Sequence, residues 1–239
     1  MRKDNEAEDN ETEDNETEDN DTKDNDTKDN KTSEPRSVKE QNVNICINVT
    51  SNISEKKTEK IEFHVSKILE LIGRSTPEAM QNTPKRVAKS YSELFAGYDV
   101  DLGDVLGKQF QETSINNDII LVRNIRYYSI CEHHMLPVVG TADVAYVPEG
   151  SVVGLSKISR LVEIFARRMQ LQERMTSQIS HSIQEYLKPK GSAVRLKARH
   201  YCMLMRGACD HDSEVLTFHY EGILREEAEK ARFLSMLNR

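Results

Sequence analysis

Tryptophan is absent, aromatic residues make up only 6% of the chain, and hydrophobic residues reach just 37% of 239 positions. So polar a composition does not suit a chain folded from end to end, and implies that a hydrophilic segment dilutes one core-forming domain. No apolar run approaches the ~18 residues of a membrane span, which excludes a membrane-spanning helix. Four cysteines (Cys46, Cys131, Cys202, Cys209) are too few for a disulfide framework. The N-terminus also lacks an apolar stretch resembling a signal peptide, so a reducing, cytoplasmic setting is expected. No basic stripe of the kind that grips nucleic acid is present.

Charge is abundant but unevenly placed. The chain has 40 acidic and 33 basic residues, and residues 1–32 hold 14 of the former and 5 of the latter, net −9. The remainder is near neutral. Residues 8–32 repeat every five positions, as in Glu8-Asp9-Asn10, Glu13-Asp14-Asn15 and Lys28-Asp29-Asn30, with a threonine in each interval. A period of five matches neither helix nor strand, and the repeat has nothing apolar to bury against the entropy of ordering it. Its Asn-x-Thr triplets would form a glycosylation array in a secreted protein. Without a signal segment they are read as part of a solvating tail. Residues 1–56 are thus expected to be tail and linker, with a weak apolar stretch from Val43 to Val49, and residues 57–239 the functional domain.

Within that domain, Ile61, Val65, Ile68, Leu69 and Ile72 fall at helical spacing before Gly73. Thr76-Pro77 and Thr83-Pro84 each offer a capping hydroxyl followed by proline at the first helical position. The second pair is expected to open a helix to about Phe95, with Arg86 in its first turn. Ile119–Ile130 and Val138–Val147 read as strands. Ile158, Leu161, Val162, Phe165 and Met169 mark a helix capped by Ser156, and Met175 to Leu187 a second. Alternation from Val194 to Arg206 predicts a strand with His200 and Cys202 on one face and Arg195, Lys197 and Arg199 on the other. Ser213–Leu224 is a further strand and Glu226–Leu237 a closing helix. The expected class is α+β, an antiparallel sheet with helices packed on one face.

Several side chains stand out chemically. Cys131-x-x-His134 has the spacing at which a tight turn brings both residues to one metal, and Cys202 would complete a Cys2His set with an open position for water. The alternative is a turn beside a small core cysteine. His133 and His200 are candidates for proton transfer, or else a fourth ligand or core histidines. Ser156, Lys157 and Arg160 lie on the first turn of a helix, where backbone N–H groups favour anions. With Arg86 and Arg206 they suggest a polyphosphate site. Gln172 and Glu173 offer an amide and a carboxylate, the latter suited to the N1–H and 2-amino edge of guanine.

The motifs Cys131-Glu132-His133-His134-Met135-Leu136-Pro137, Val153-Gly154-Leu155-Ser156-Lys157-Ile158-Ser159-Arg160, Gln170-Leu171-Gln172-Glu173-Arg174 and His200-Tyr201-Cys202-Met203-Leu204-Met205-Arg206-Gly207 closely resemble those of GTP cyclohydrolase I, as does Thr83-Pro84-x-Arg86-Val87-Ala88. The resemblance spans roughly residues 60–239. It implies a tunnelling fold in ring-shaped oligomers, a decamer with sites at subunit boundaries. It also implies hydrolytic opening of the imidazole ring of GTP to give formate and 7,8-dihydroneopterin triphosphate. By motif, Cys131, His134 and Cys202 would hold zinc, and His133 and His200 would move protons. Gln172 and Glu173 would hold guanine, and Arg86, Ser156, Lys157, Arg160 and Arg206 the ribose and triphosphate. The sequence departs from the family pattern at Asp143, Tyr201 and Ala208. An inactive regulatory relative would be expected to lack a ligand or clamp residue, and none is missing. A zinc-stabilised interaction module would need paired Cys-x-x-Cys knuckles, which are absent. The resemblance is compatible with a pterin that feeds either folate or tetrahydrobiopterin, and with a regulatory protein that docks on the enzyme.

Overall fold

The computed structural model describes residues 53–73, 76–112 and 118–238. The acidic repeat and the Val43–Val49 stretch lie outside these. Helix α1 (Glu55–Ile72) ends as expected at Gly73, whose φ of 71° and N–H bond to the Leu69 carbonyl form a left-handed cap. Helix α2 (Pro77–Leu94) begins at the first Thr-Pro pair, where the Thr76 hydroxyl accepts from the Ala79 N–H at 3.2 Å. The expectation for the second pair is corrected. Pro84 lies inside α2 and is buried on the same face as Ala88, so burial overrides the local preference of proline for a helix start. Arg86 therefore sits in the third turn of α2, not the first.

A short helix α3 (Leu102–Leu106) and strand β1 (Gln109–Gln111) lead to the main sheet. Its first strands are β2 (Ile120–Cys131) and β3 (Pro137–Val147); β4 (Ser151–Val153) pairs separately with β1. Helix α4 (Leu155–Ala166), the two-residue strand β5 (Met169–Gln170) and helix α5 (Gln172–Leu187) follow. Then come β6 (Gly191–His200), a single helical turn α6 (Tyr201–Leu204), β7 (Val215–Gly222) and α7 (Glu227–Leu237). The sheet order is β5-β2-β3-β6-β7, antiparallel except for the β5–β2 pair. Two expectations change here. The strand carrying His200 stops at that residue, so Cys202 belongs to α6. The residue preceding α4 is Gly154, and Ser156 is an exposed residue of its first turn.

Ala142, Val144, Tyr146, Val194, Leu196 and Ala198 present one face of the sheet to Ile158, Leu161, Val162 and Phe165 of α4 and to Met175, Ile179 and Ile183 of α5. This is the expected single helical layer. On the opposite face α7 covers one end, burying Phe233 and Leu237 against Ala145, Val147 and Ala193. Further along that face β3 and β6 carry Thr141, Asp143, Arg195 and Lys197, and edge strand β7 adds Leu216 and Phe218. Asp143, fully buried, takes two guanidinium nitrogens of its cross-strand partner Arg195 on Oδ2, at 2.6 and 2.8 Å. Its Oδ1 accepts the Asn124 N–H at 3.0 Å, at a β2 bulge where Asn124 has φ 55°. The departure at Asp143 is thus balanced by a specific cation and a specific turn.

Candidate metal centre and active site

Cys131 is the last residue of β2, and the loop to β3 is closed by two backbone bonds, Cys131 N–H to Leu136 O at 2.9 Å and Met135 N–H to Cys131 O at 2.8 Å. Met135 adopts φ 54°, a left-handed conformation that costs about 1–2 kcal/mol for a residue with a side chain. The Glu132 N–H bonds to the Gln170 carbonyl, and the Glu132 carboxylate pairs with Arg174 of α5. The loop is therefore fixed on two sides, and it holds Cys131 Sγ 3.9 Å from His134 Nδ1.

Cys202 arrives from α6. The ligand atoms of Cys131, His134 and Cys202 lie within 4.8 Å of one another, with Cys131 buried, Cys202 half-buried and His134 exposed. Burial, and then the Cys131 sulfur beside it, push the Cys202 thiol above its ordinary value. Two sulfurs so placed resist ionising together, and a divalent cation between them reverses that preference. Two thiols and an imidazole converging on one point fit a metal ion with a free coordination position.

His200, at the end of β6, is held by Gln172, the first residue of α5. The Gln172 Nε2 group donates toward Val215 O (2.9 Å), Leu196 O (3.3 Å) and Thr217 Oγ1 (3.2 Å). With the nitrogen so assigned, the Gln172 Oε1, 2.7 Å from His200 Nε2, is an acceptor. His200 therefore carries its proton on Nε2 and offers Nδ1 as the basic atom. Burial lowers the His200 pKa, partly opposed by the Glu173 carboxylate, so the ring stays neutral to lower pH than a free imidazole. Behind it lies a small cavity also lined by Tyr127, Ser129, Gln170 and Met175. The Tyr127 hydroxyl and Gln170 Oε1 find no protein partner, which suits an ordered water.

Other expected site residues sit further out. His133 is exposed on the metal loop, its ring 6.2 Å from that of His134. Arg206 is close enough to Cys202 to draw its thiol pKa down slightly. Glu173 is exposed at the start of α5. Ser156, Lys157 and Arg160 occupy the first turns of α4, and Arg86 is ion-paired with Glu78 of its own helix at 3.3 Å. The structure thus brings together the three candidate metal ligands, and binds His200, two residues before Cys202, to Gln172. It leaves the expected phosphate-binding cations on α2 and α4 without a contact to that set among the described residues. The amide of Gln172, expected to face guanine, is committed at both ends within the protein. Sequence reasoning missed this holding role, because the partners of Gln172 lie on β6 and β7, 24 to 45 residues away.

An α+β chain with an open Cys2His set beside a histidine held neutral has the makings of a metal-dependent hydrolase. Comparison with known proteins makes this particular. The family model for GTP cyclohydrolase I matches residues 61–238. GTP cyclohydrolase 1 of Sinorhizobium fredii is 52% identical over 163 residues, covering 68% of this chain and 80% of the relative. That of Rickettsia felis is 44% identical over 182 residues, covering 76% and 95%. The chain belongs to the GTP cyclohydrolase I family. Among solved structures, Escherichia coli dihydroneopterin aldolase in complex with neopterin aligns with 44% of this chain and 99% of its own, at 12% identity and a TM-score of 0.34.

Proposed function

We propose that this chain converts GTP and water to formate and 7,8-dihydroneopterin triphosphate, the first step of pterin biosynthesis, at a zinc ion held by Cys131, His134 and Cys202. The convergence of those three side chains beside His200, in a chain of this family, carries the reading. The 3.9 Å between Cys131 Sγ and His134 Nδ1 approaches the edge of about 3.5–3.8 Å that ordinary Zn–S and Zn–N bonds give a tetrahedron. When bound, zinc in such a set lowers the pKa of a coordinated water toward neutrality.

The chain's own residues supply the rest. His200 accepts a proton at Nδ1, its ring oriented by Gln172, while His133 donates one to the guanine imidazole nitrogen that leaves. Two waters enter as C8 departs in formate, and one is lost when the pterin ring closes. Glu173 reads the guanine N1–H and 2-amino group. Ser156, Lys157, Arg160 and Arg206 hold the ribose and triphosphate, and Arg86 joins them from a neighbouring chain. The geometry of Gln172 favours a positioning role over the guanine contact expected for it.

A homo-oligomer, a decamer by analogy with the family, suits the exposed apolar residues on α1 (Phe63, Ile68, Leu71 and Ile72) and on edge strand β7 (Leu216 and Phe218). We place the enzyme in the cytoplasm. Cys131, Cys202 and Cys209 are free thiols, and among the described residues no helix is long and apolar enough to cross a membrane. Residues 57–239 form the catalytic domain and 1–56 an acidic tail outside it. Incubation with GTP should yield formate and, after oxidation, pterin fluorescence. For the shared site, co-expressed Arg86→Ala and His200→Ala chains that co-assemble should recover up to about a quarter of wild-type turnover. Activity no higher than the sum of the two parents would assign Arg86 to its own chain or to no site.

A further inference from the structure

A second cluster of metal-ligating side chains lies away from the catalytic set, where α5 packs on edge strand β7. His181 of α5 and His219 and Glu221 of β7 bring their ligand atoms within 4.8 Å of one another. His219 and Glu221 are two residues apart on a strand and so share a face, and His181 comes down on that face from the helix. The Nε2 atoms of His181 and His219 both approach Glu221 Oε1, at 3.3 and 3.1 Å, and the rings are 5.0 Å apart. His219 pairs with Val194, six residues from His200 along β6, so the cluster is about 20 Å from the catalytic histidine.

The hydrogen bonding at His181 points to a cation. Its Nδ1 lies 2.8 Å from the Ser177 carbonyl, which can only accept, so Nδ1 carries the proton. In the neutral ring Nε2 is then a lone pair facing the lone pairs of Glu221 Oε1. A positive ion between them, a proton or a metal, is needed to make that approach favourable. A proton serves one such pair, whereas a metal ion serves all three converging atoms. The Nδ1–H to carbonyl bond is also the partner that metal-ligating histidines ordinarily have on their far nitrogen.

We propose that His181, His219 and Glu221 form a second metal site, for a divalent transition ion of the zinc class, that clamps α5 to β7. Two imidazoles and a carboxylate suit zinc and its first-row neighbours better than magnesium or calcium. Glu221 and His219 are largely covered, with side-chain exposures of 15% and 26%, while His181, at 64%, leaves the ion open to water. The site stands independently of the reaction proposed above, since none of its residues belongs to that machinery.

The test uses the full chain with its catalytic site already loaded. Zn2+ is titrated calorimetrically, with metal content measured after equilibrium dialysis. Wild type should take up a second equivalent per chain with a micromolar dissociation constant, and its melting temperature should rise by a few degrees. Glu221→Gln and His181→Ala should each weaken this second equivalent by about tenfold or more and abolish the thermal shift. Both should keep the first equivalent and full GTP turnover. His181 is exposed, so its alanine variant reports even if the Glu221 variant folds poorly. Uptake that stops at one equivalent in wild type would assign the cluster to a bridging proton and overturn the proposal. Equal second-site affinity in wild type and both variants would place the ion elsewhere and overturn it too.

Discussion

Replacing Gln172 with leucine separates two roles for this residue. In the structure the side chain is 5% exposed, its Oε1 accepting from His200 Nε2 at 2.7 Å and its Nε2 donating toward Val215, Leu196 and Thr217. Leucine has a similar volume but leaves those groups without their partner, a penalty of about 1–3 kcal/mol in stability. Losing the pin on Nε2 lets the proton move to Nδ1. Because the bond is worth only about 1 kcal/mol net, the tautomer change alone accounts for no more than a factor of a few in rate. Freedom of the ring is the larger effect, since loss of an orienting partner or a displacement near 1 Å slows chemistry by about 10–100-fold. The expected result is therefore a kcat lower by about 10–100-fold, with the KM for GTP within about threefold and zinc content unchanged. Gln172→Glu keeps an acceptor for His200, though its second oxygen faces the Val215 and Leu196 carbonyls, which cannot donate, so it should cost stability while retaining more turnover than the leucine variant. Its carboxylate stabilises the imidazolium, so activity should disappear at a higher pH on acidification than in wild type. Steady-state pterin formation across pH, beside metal analysis, reads both variants. A KM raised tenfold with kcat unchanged would return Gln172 to the guanine and refute the positioning role.

Three further outcomes follow from the same geometry. Cys202→Ser, or Cys131→Ser, should lose catalytic-site zinc and turnover together, since two protein ligands hold the ion poorly; metal analysis showing full occupancy of that site would exclude the ligand set. Burial lowers the His200 pKa, so the acid limb of kcat/KM should fall below the ordinary histidine value of about 6.5. The stability linked to this neutral ring is complete above that value and is lost as pH falls through the folded pKa, and a limb at or above pH 7 would contradict it. Asp143→Ala leaves Arg195 and the Asn124 N–H unpaired and should cost about 3–5 kcal/mol, lowering Tm by about 6–20 °C. Adding Arg195→Met should restore most of the loss in a thermal melt, and a double variant no better than the single would remove the pairing argument.

The long elements were legible because their apolar periods run over many residues. The pattern Ile61 to Ile72 gave α1 and its Gly73 end, and the β-branched runs gave β2 and β3 within a residue. Short-range patterns were weaker guides. The alternation that placed His200 and Cys202 on one strand face cannot distinguish two more strand residues from one helical turn, and the chain takes the turn. Cys202 still comes within 4.8 Å of Cys131 and His134, because one helical turn and two more strand residues carry it to nearly the same place. Thr83-Pro84 looks like a helix start by local chemistry, but Thr76 had already capped the helix and Pro84 is buried in it. The partners of Gln172, and the pairing of Asp143 with Arg195, depend on strand register, which no single segment encodes.

If the Cys131–His134–Cys202 centre opens the guanine ring at C8, that carbon must leave the nucleotide. The most direct measurement is the fate of that carbon in GTP labelled at C8. Wild type should release one labelled formate per GTP consumed, with an unlabelled pterin triphosphate as the other product, and Cys202→Ser should release no labelled formate. Label retained in a purine, or GTP consumed only to GDP and phosphate, would contradict ring opening at this centre.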